Sequence, residues 1–353
     1  MKRVLLVLLG LVSSIGLVSC NDIVVSSTEN FNTYTITWLN DNGDVLEIDN
    51  DVREGEMPSY DGDIPTKSGD DVTYVFDGWS PSISEVTADA TYTATYKSYT
   101  GDELDGVIPQ LSSDGKSVEY GLYPQSCVND SSLIAKLDVL EPTVNNWYYY
   151  EGNYYFKDKA STFNGLGYLF NDKVPIVNEK EYWFKCEVIT WDVVKVNDGI
   201  YTLVSNMIID AKVYYKDYEA RVIEENTILP NNYQYSDIRG FLNNEFYNNA
   251  FILNNHYIKE SLIGNNEDKV YLLSEEEYAL YTASERKCYA TDYVRSRGIW
   301  CNEEFNYTTT YWTRSASKEF DYSAININSN GYISDYVVDG RHGVRPSISI
   351  TIA

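Results

Sequence analysis

The sequence predicts a mixed α+β protein in which strands dominate, and three observations carry that prediction. Near the C-terminus Val344, Pro346, Ile348, Ile350 and Ile352 alternate with Arg345, Ser347, Ser349 and Thr351, the period-two pattern of a strand. Upstream, aromatic-rich stretches are separated by Asn, Asp and Gly turn signals, as at Asp41-Asn42-Gly43-Asp44 and Asn197-Asp198-Gly199. Only the middle of the chain carries clear helix starts. Ser236-Asp237 precedes Ile238, Phe241, Leu242 and Phe246, and Ser274 stands three residues before Glu277 in a capping box. Hairpins surrounding two helices define the α+β class.

The chain has 353 residues, enough for two or three domains with a sizeable core. Its 33 tyrosines suit half-buried strands. A formal charge of −26 argues against nucleic acid and anionic lipid as partners, because the Coulomb interaction is repulsive.

In chain order, Lys2 and Arg3 precede a charge-free apolar run over residues 4–18, short for a membrane span. Leu17-Val18-Ser19-Cys20 follows and resembles a bacterial lipobox. That resemblance implies export, removal of a signal peptide at 1–19 and a lipid on Cys20. The membrane becomes a partner through the anchor, and the protein is expected on the outer face of a bacterial membrane, at the cell surface. Residues 20–33 are polar and read as a tether.

Residues 34–97 form a compact unit. Tyr34-Thr35-Ile36-Thr37-Trp38 alternates like a strand, the Asn42-Gly43 turn sends it back, and strands at 74–76 and 91–96 close the unit. The Tyr-x-Ile-x-Trp opening, the Pro58-Ser59-Tyr60-Asp61-Gly62 loop, Phe76-Asp77-Gly78-Trp79 and the Tyr92-Thr93-Ala94-Thr95-Tyr96 end resemble an internalin-type B-repeat (Listeria–Bacteroides repeat). The resemblance implies a small β-grasp-like module with Trp38 and Trp79 in its core. Residues 98–115 read as a linker.

Residues 116–353 read as the large domain. It opens with a strand at 118–123 and continues with a helix at 131–140 and an aromatic hairpin at 147–156 turning at Glu151-Gly152-Asn153. A long strand at 182–191 and the two capped helices follow, and strands at 311–315, 325–333 and 344–352 end the chain. Tyr120-Gly121-Leu122-Tyr123-Pro124-Gln125, Tyr182-Trp183-Phe184-Lys185-Cys186-Glu187, Tyr311-Trp312-Thr313-Arg314-Ser315 and Gly343-Val344-Arg345-Pro346 together resemble a bacterial family of unknown function. That family is similar in fold to C-type-lectin-like domains and formylglycine-generating enzymes. It has no established activity to transfer, and neither lectin sugar motifs nor the enzymes' cysteine pair can be matched here.

Chemistry-bearing motifs are sparse. No phosphate loop, His-Glu-x-x-His or Gly-x-Ser-x-Gly occurs, and His256 and His342 both fall in turn-like contexts. No catalytic residue, metal ligand or cofactor is therefore expected. Beyond Cys20, four cysteines remain in a compartment that permits disulfides; Cys288 with Cys301 and Cys127 with Cys186 are the favoured pairs, free thiols the alternative. Arg314 and Arg345 have two readings. Either they pin the C-terminal strands through buried hydrogen bonds, or with Trp312 they line a ligand groove. The expected function is a non-catalytic binding or adhesion protein with an extracellular glycan or protein ligand. A structural envelope component and an exported enzyme of formylglycine-generating type are the alternatives.

Overall fold

The computed structural model describes residues 32–69, 72–100, 105–163, 167–301 and 303–352. The expected signal peptide, Cys20 and most of the stretch read as a tether lie outside the described residues. The described chain is a mixture of strand and helix, 43% and 14% respectively.

Near the N-terminus β1 (Thr33–Leu39), β2 (Val45–Arg53), β3 (Thr73–Ser80) and β4 (Ala90–Tyr99) form a sheet in the order β2-β1-β4-β3, with β1 and β4 parallel. Ile36, Trp38, Val86 and Tyr92 are its core. Trp38 is fully buried and donates its indole N–H to Asp49 at 2.7 Å. Trp79 is only half-buried, its ring 4.7 Å from that of Trp38.

The largest sheet is organised around β9 (Glu181–Asn197), which pairs with β6 (Ser117–Cys127), β8 (Asn153–Lys159) and β10 (Ile200–Ser205). β5 (Gln110–Leu111) extends it beyond β6, and β7 (Trp147–Tyr150) beyond β8. Beyond β10 comes β22 (Ser347–Thr351), which also pairs with β14 (Ile258–Lys259) and β17 (Val270–Tyr271). β4 runs to Tyr99 and β5 begins at Gln110, so both ends of the segment read as a linker are drawn into sheets.

A second sheet has the order β11-β21-β18-β19-β20, from β11 (Asp210–Val213), β18 (Tyr311–Ala316), β19 (Ser323–Ile327), β20 (Ile333–Val337) and β21 (Arg341–Val344). Two short hairpins, β12 (Arg221–Ile223) with β13 (Asn226–Ile228) and β15 (Ser261–Ile263) with β16 (Asn266–Asp268), complete the strands.

The alternating C-terminal run is thus two strands in two sheets. Pro346, which has no N–H for a ladder, stands between them, and its carbonyl accepts from Ser205. β22 is also buried on both faces. Ile348 and Ile350 enter the main core, while Ser347 and Ser349 are covered from the other side. Ser349 is satisfied there by Ser261 Oγ at 2.8 Å and Tyr271 OH at 3.2 Å. Small hydroxyl side chains let a second layer approach a face that would otherwise meet water.

Helices are short. α1 (Ser131–Leu137) is capped by Asp130, whose carboxylate accepts from Ser132 and Leu133 N–H. α2 (Asp237–Phe241) starts at Ser236 and continues through one π-helical turn, Leu242–Phe246, into α3 (Tyr247–Ala250). Ile238, Leu242 and Phe246 are buried, as the 3.6-residue pattern requires. α4 (Glu275–Ala279) shows both bonds of the Ser274/Glu277 capping box. α5 (Ala283–Arg286) and α6 (Asp292–Ser296), capped by Thr282 and Thr291, escape sequence reading because neither is long enough to show a period.

All four described cysteines are free thiols, so neither favoured disulfide forms. Cys127 packs against the main core, whereas Cys186 sits in a separate cluster with Leu122 and Trp147. Cys288 and Cys301 share a cluster, and Thr309 ties down the loop segments beside them: its N–H donates to the Cys288 carbonyl and its hydroxyl to the Trp300 carbonyl.

Candidate functional site

A cleft of about 830 Å³ opens between the end of β4 and the large sheet. Ser98 and Tyr99 contribute from the small sheet, and Asp105 follows. Leu122 of β6, Lys185 to Val188 of β9, and Ile252 and Leu253 after α3 lie along it, and the β7–β8 hairpin forms another wall.

Local sequence explains that wall. Glu151 and Gly152, at φ of 45° and 81°, make a two-residue turn that needs positive φ at both positions, easiest for Gly. Alternation then splits the aromatics. Tyr148 and Tyr150 join Tyr155 and Trp183 in a cluster against α1, while Trp147 and Tyr154 turn to the cluster of Leu122 and Cys186. Tyr149 stands opposite Tyr154, ring centroids 5.0 Å apart, and its side chain is about half exposed. Trp147 is buried beneath, 5.7 Å from Tyr154. The floor between is aliphatic, from Leu122, Val188, Ile252 and Leu253.

Burial raises the Tyr154 phenol pKa, Tyr149 adds to the shift, and Lys97 opposes it. Burial also pushes the Cys186 thiol well above its ordinary range, with Glu187 adding to it, which disfavours the thiolate there. Glu187 accepts from Ser126 N–H and Oγ at 3.1 and 2.7 Å. Lys97 is paired with Asp77 at 2.8 Å. Rings, aliphatic side chains and a few carboxylates equip this cleft for non-covalent recognition. Beside it, Phe76 of β3 packs on His256, ring centroids 4.7 Å apart. His256 lies in a turn, as expected, but its ring is half-buried as a contact between the small sheet and the segment before β14, and burial lowers its pKa.

Trp312, Arg314 and Arg345 do not line a groove. Trp312 has no exposed surface; it packs against Tyr214 and His342 and donates its indole N–H to the Lys212 carbonyl at 3.1 Å. Arg314 donates to the Leu272 carbonyl at 2.7 Å and to Glu277 at 2.5 Å, tying β18 to α4. Arg345 is buried, with its Nε on the Ser205 carbonyl at 2.8 Å and its Nη2 on Asp192 at 3.2 Å. Burial opposes its charge, but Cys288, Tyr278 and Tyr311 around it raise its pKa overall.

His342 lies on β21 rather than in a turn, buried between the rings of Trp312 and Tyr336, each 4.6 Å away. Burial lowers its pKa to about 4. Gly343 beside it leaves room that a side chain would close: a Cβ there would stand 2.4 Å from Ile208 and 2.8 Å from the Thr310 carbonyl. Burial also raises the Cys288 and Cys301 thiols, which disfavours thiol chemistry at either. No cluster of His, Cys, Asp and Glu suited to a metal occurs among the described residues.

Residues 200–352 match the model of a domain of unknown function (DUF6273). No curated protein and no solved structure matches the chain. The matched stretch is not a closed structural unit, since β10 continues into β9 and β6, which precede it. Of the cleft-lining residues, only Ile252 and Leu253 fall inside it.

Of the two sequence readings of Arg314 and Arg345, the hydrogen bonds match the pinning one rather than the groove with Trp312. Alternation alone places Trp147, Tyr149 and Tyr154 on one hairpin face. That this face meets Ser98 and Tyr99 follows from tertiary packing.

Proposed function

We propose that this chain is a lipid-anchored bacterial surface protein that binds a glycan or protein ligand without transforming it. The observation that carries the reading is the aromatic, aliphatic-floored cleft between the small sheet and the large one. The lipobox-like Leu17-Val18-Ser19-Cys20 supports the anchor. The strand order β2-β1-β4-β3 with parallel central strands supports a B-repeat-like, β-grasp-like module. The strand-rich larger part, with short helices between its hairpins, is compatible with a C-type-lectin-like fold.

The test is binding of the chain from residue 20 onward, carrying Cys20→Ser for solubility, to arrays of glycans and bacterial and host surface proteins. A Val188→Trp variant fills the cleft floor. The reading expects a ligand on the array whose binding Val188→Trp removes while the melting curve stays near wild type. Binding that survives the filled cleft rejects the cleft as the site, and no binding at all favours a structural envelope role.

A further inference from the structure

We propose that the cleft takes a polypeptide segment with an apolar anchor residue flanked by lysine or arginine. This rests on the reading of the cleft as the binding site and names its ligand class.

The floor favours a peptide side chain over a sugar. Leu122, Val188, Ile252 and Leu253 offer branched aliphatic surface with no hydrogen-bonding atoms on their side chains. A Leu or Phe anchor loses nothing against them, whereas sugar hydroxyls would be desolvated without partners. The half-exposed Tyr149 ring at the wall suits a cation placed over its face.

Charge points the same way. Asp105, Glu151 and Glu187 are among the lining residues, against Lys185 alone of the cations. The neighbouring Lys97 is paired with Asp77. The whole chain carries −26, so its field attracts a cationic segment and repels anionic glycans. The same repulsion disfavours a second copy of this chain. The tether segment 21–31 is mismatched too, since it carries Asp22 and Glu29 and no Lys or Arg.

The probe is a fluorescein-labelled peptide, Gly-Lys-Leu-Lys-Phe-Lys-Leu-Lys-Gly, read by fluorescence polarisation on the chain from residue 20 with Cys20→Ser. Controls are the same peptide with Glu for Lys, and fluorescein-labelled cellohexaose, maltohexaose and chitohexaose, each titrated as a probe in its own right. The Lys peptide is expected to bind and the Glu peptide not. Glu151→Lys is expected to weaken binding roughly fivefold, and added salt to weaken it further. Val188→Trp and Tyr149→Ala should each reduce binding at least about tenfold; the Tyr149 side chain is about half exposed, so its variant keeps the test usable if Val188→Trp misfolds. Failure of the Lys peptide to bind overturns the proposal, as does equal binding by wild type, Val188→Trp and Tyr149→Ala, which marks non-specific attraction to an acidic surface. If the oligosaccharides bind and Val188→Trp abolishes that binding while the peptide fails, the peptide assignment falls and the cleft reading stands. If the peptide, the oligosaccharides and the array ligands all ignore the filled cleft, both fall.

Discussion

Arg345→Met tests how the last strand is held. Arg345 is 7% exposed and sits between β21 and β22. Met preserves much of its stem volume, so the cavity term is small. What disappears is the charge-assisted bond to the carbonyl of Ser205, a residue with no exposed surface. Such a bond contributes about 1.5–3 kcal/mol. The Asp192 side chain is 51% exposed, so its pairing with Arg345 adds at most about 1 kcal/mol and the freed carboxylate can turn to water. The Tyr311 hydroxyl, at 3.4 Å, is too far to add much. Releasing a desolvated guanidinium offsets part of the loss. The net expectation is a destabilisation of about 2–3 kcal/mol, below the roughly 3–5 kcal/mol of a fully buried ion pair losing one partner.

Urea unfolding at neutral pH measures it, in a cycle with Asp192→Asn and the double variant. A wild-type midpoint for Arg345→Met, or a coupling to Asp192 of about 3 kcal/mol or more, would refute this reasoning. Burial raises the Asp192 carboxyl and Arg345 opposes that shift, so the variant should raise it further. A carboxyl raised in the folded state costs stability as pH rises through the window between its unfolded and folded pKa values. The deficit of Arg345→Met should therefore grow across that acidic range.

Three further outcomes are expected. The His342 pKa falls from 6.5 to about 4 on folding, so its contribution is fully present above pH 6.5 and is lost as pH drops toward 4. That loss amounts to about 3 kcal/mol, and His342→Phe should flatten that part of the stability–pH curve; an unchanged slope argues against it. Trp38→Ala, which empties a fully buried site in the small sheet, should cost about 3–5 kcal/mol, and the half-buried Trp79→Ala clearly less, by thermal or urea unfolding. Ser274→Ala removes the hydroxyl that accepts the Glu277 N–H and should cost about 1 kcal/mol; a loss under a few tenths would mean that the capping box is replaceable by water.

Local rules were legible wherever the chain itself supplies both partners. The turn at Glu151-Gly152, the caps Ser236 and Ser274 and the buried face of α2 and α3 are each settled within a few residues. The 17-residue strand β9 is legible by its aromatic and β-branched alternation. What escaped reading depends on a second segment. Whether Ser347 and Ser349 meet water or Tyr271 is decided by β17 and the Ser261 hairpin, and whether His342 is a turn residue or a buried ring is decided by Trp312 and Tyr336. The cysteines show the same limit, since an even count permits pairs but strand register chose different clusters for Cys127 and Cys186.

By itself, then, the sequence determined the α+β class, the longer strands, the caps at Ser236 and Ser274 and the acidic character, because these follow from backbone periodicity, local hydrogen bonds and a sum of charges. Only the tertiary structure decided which faces are covered. It buried Trp312 and turned Arg314 and Arg345 inward as pins, and it brought Tyr99, Tyr149, Val188 and Leu253 to one cleft. Burial and convergence are properties of residues far apart in the chain, and no local pattern encodes which of them will meet.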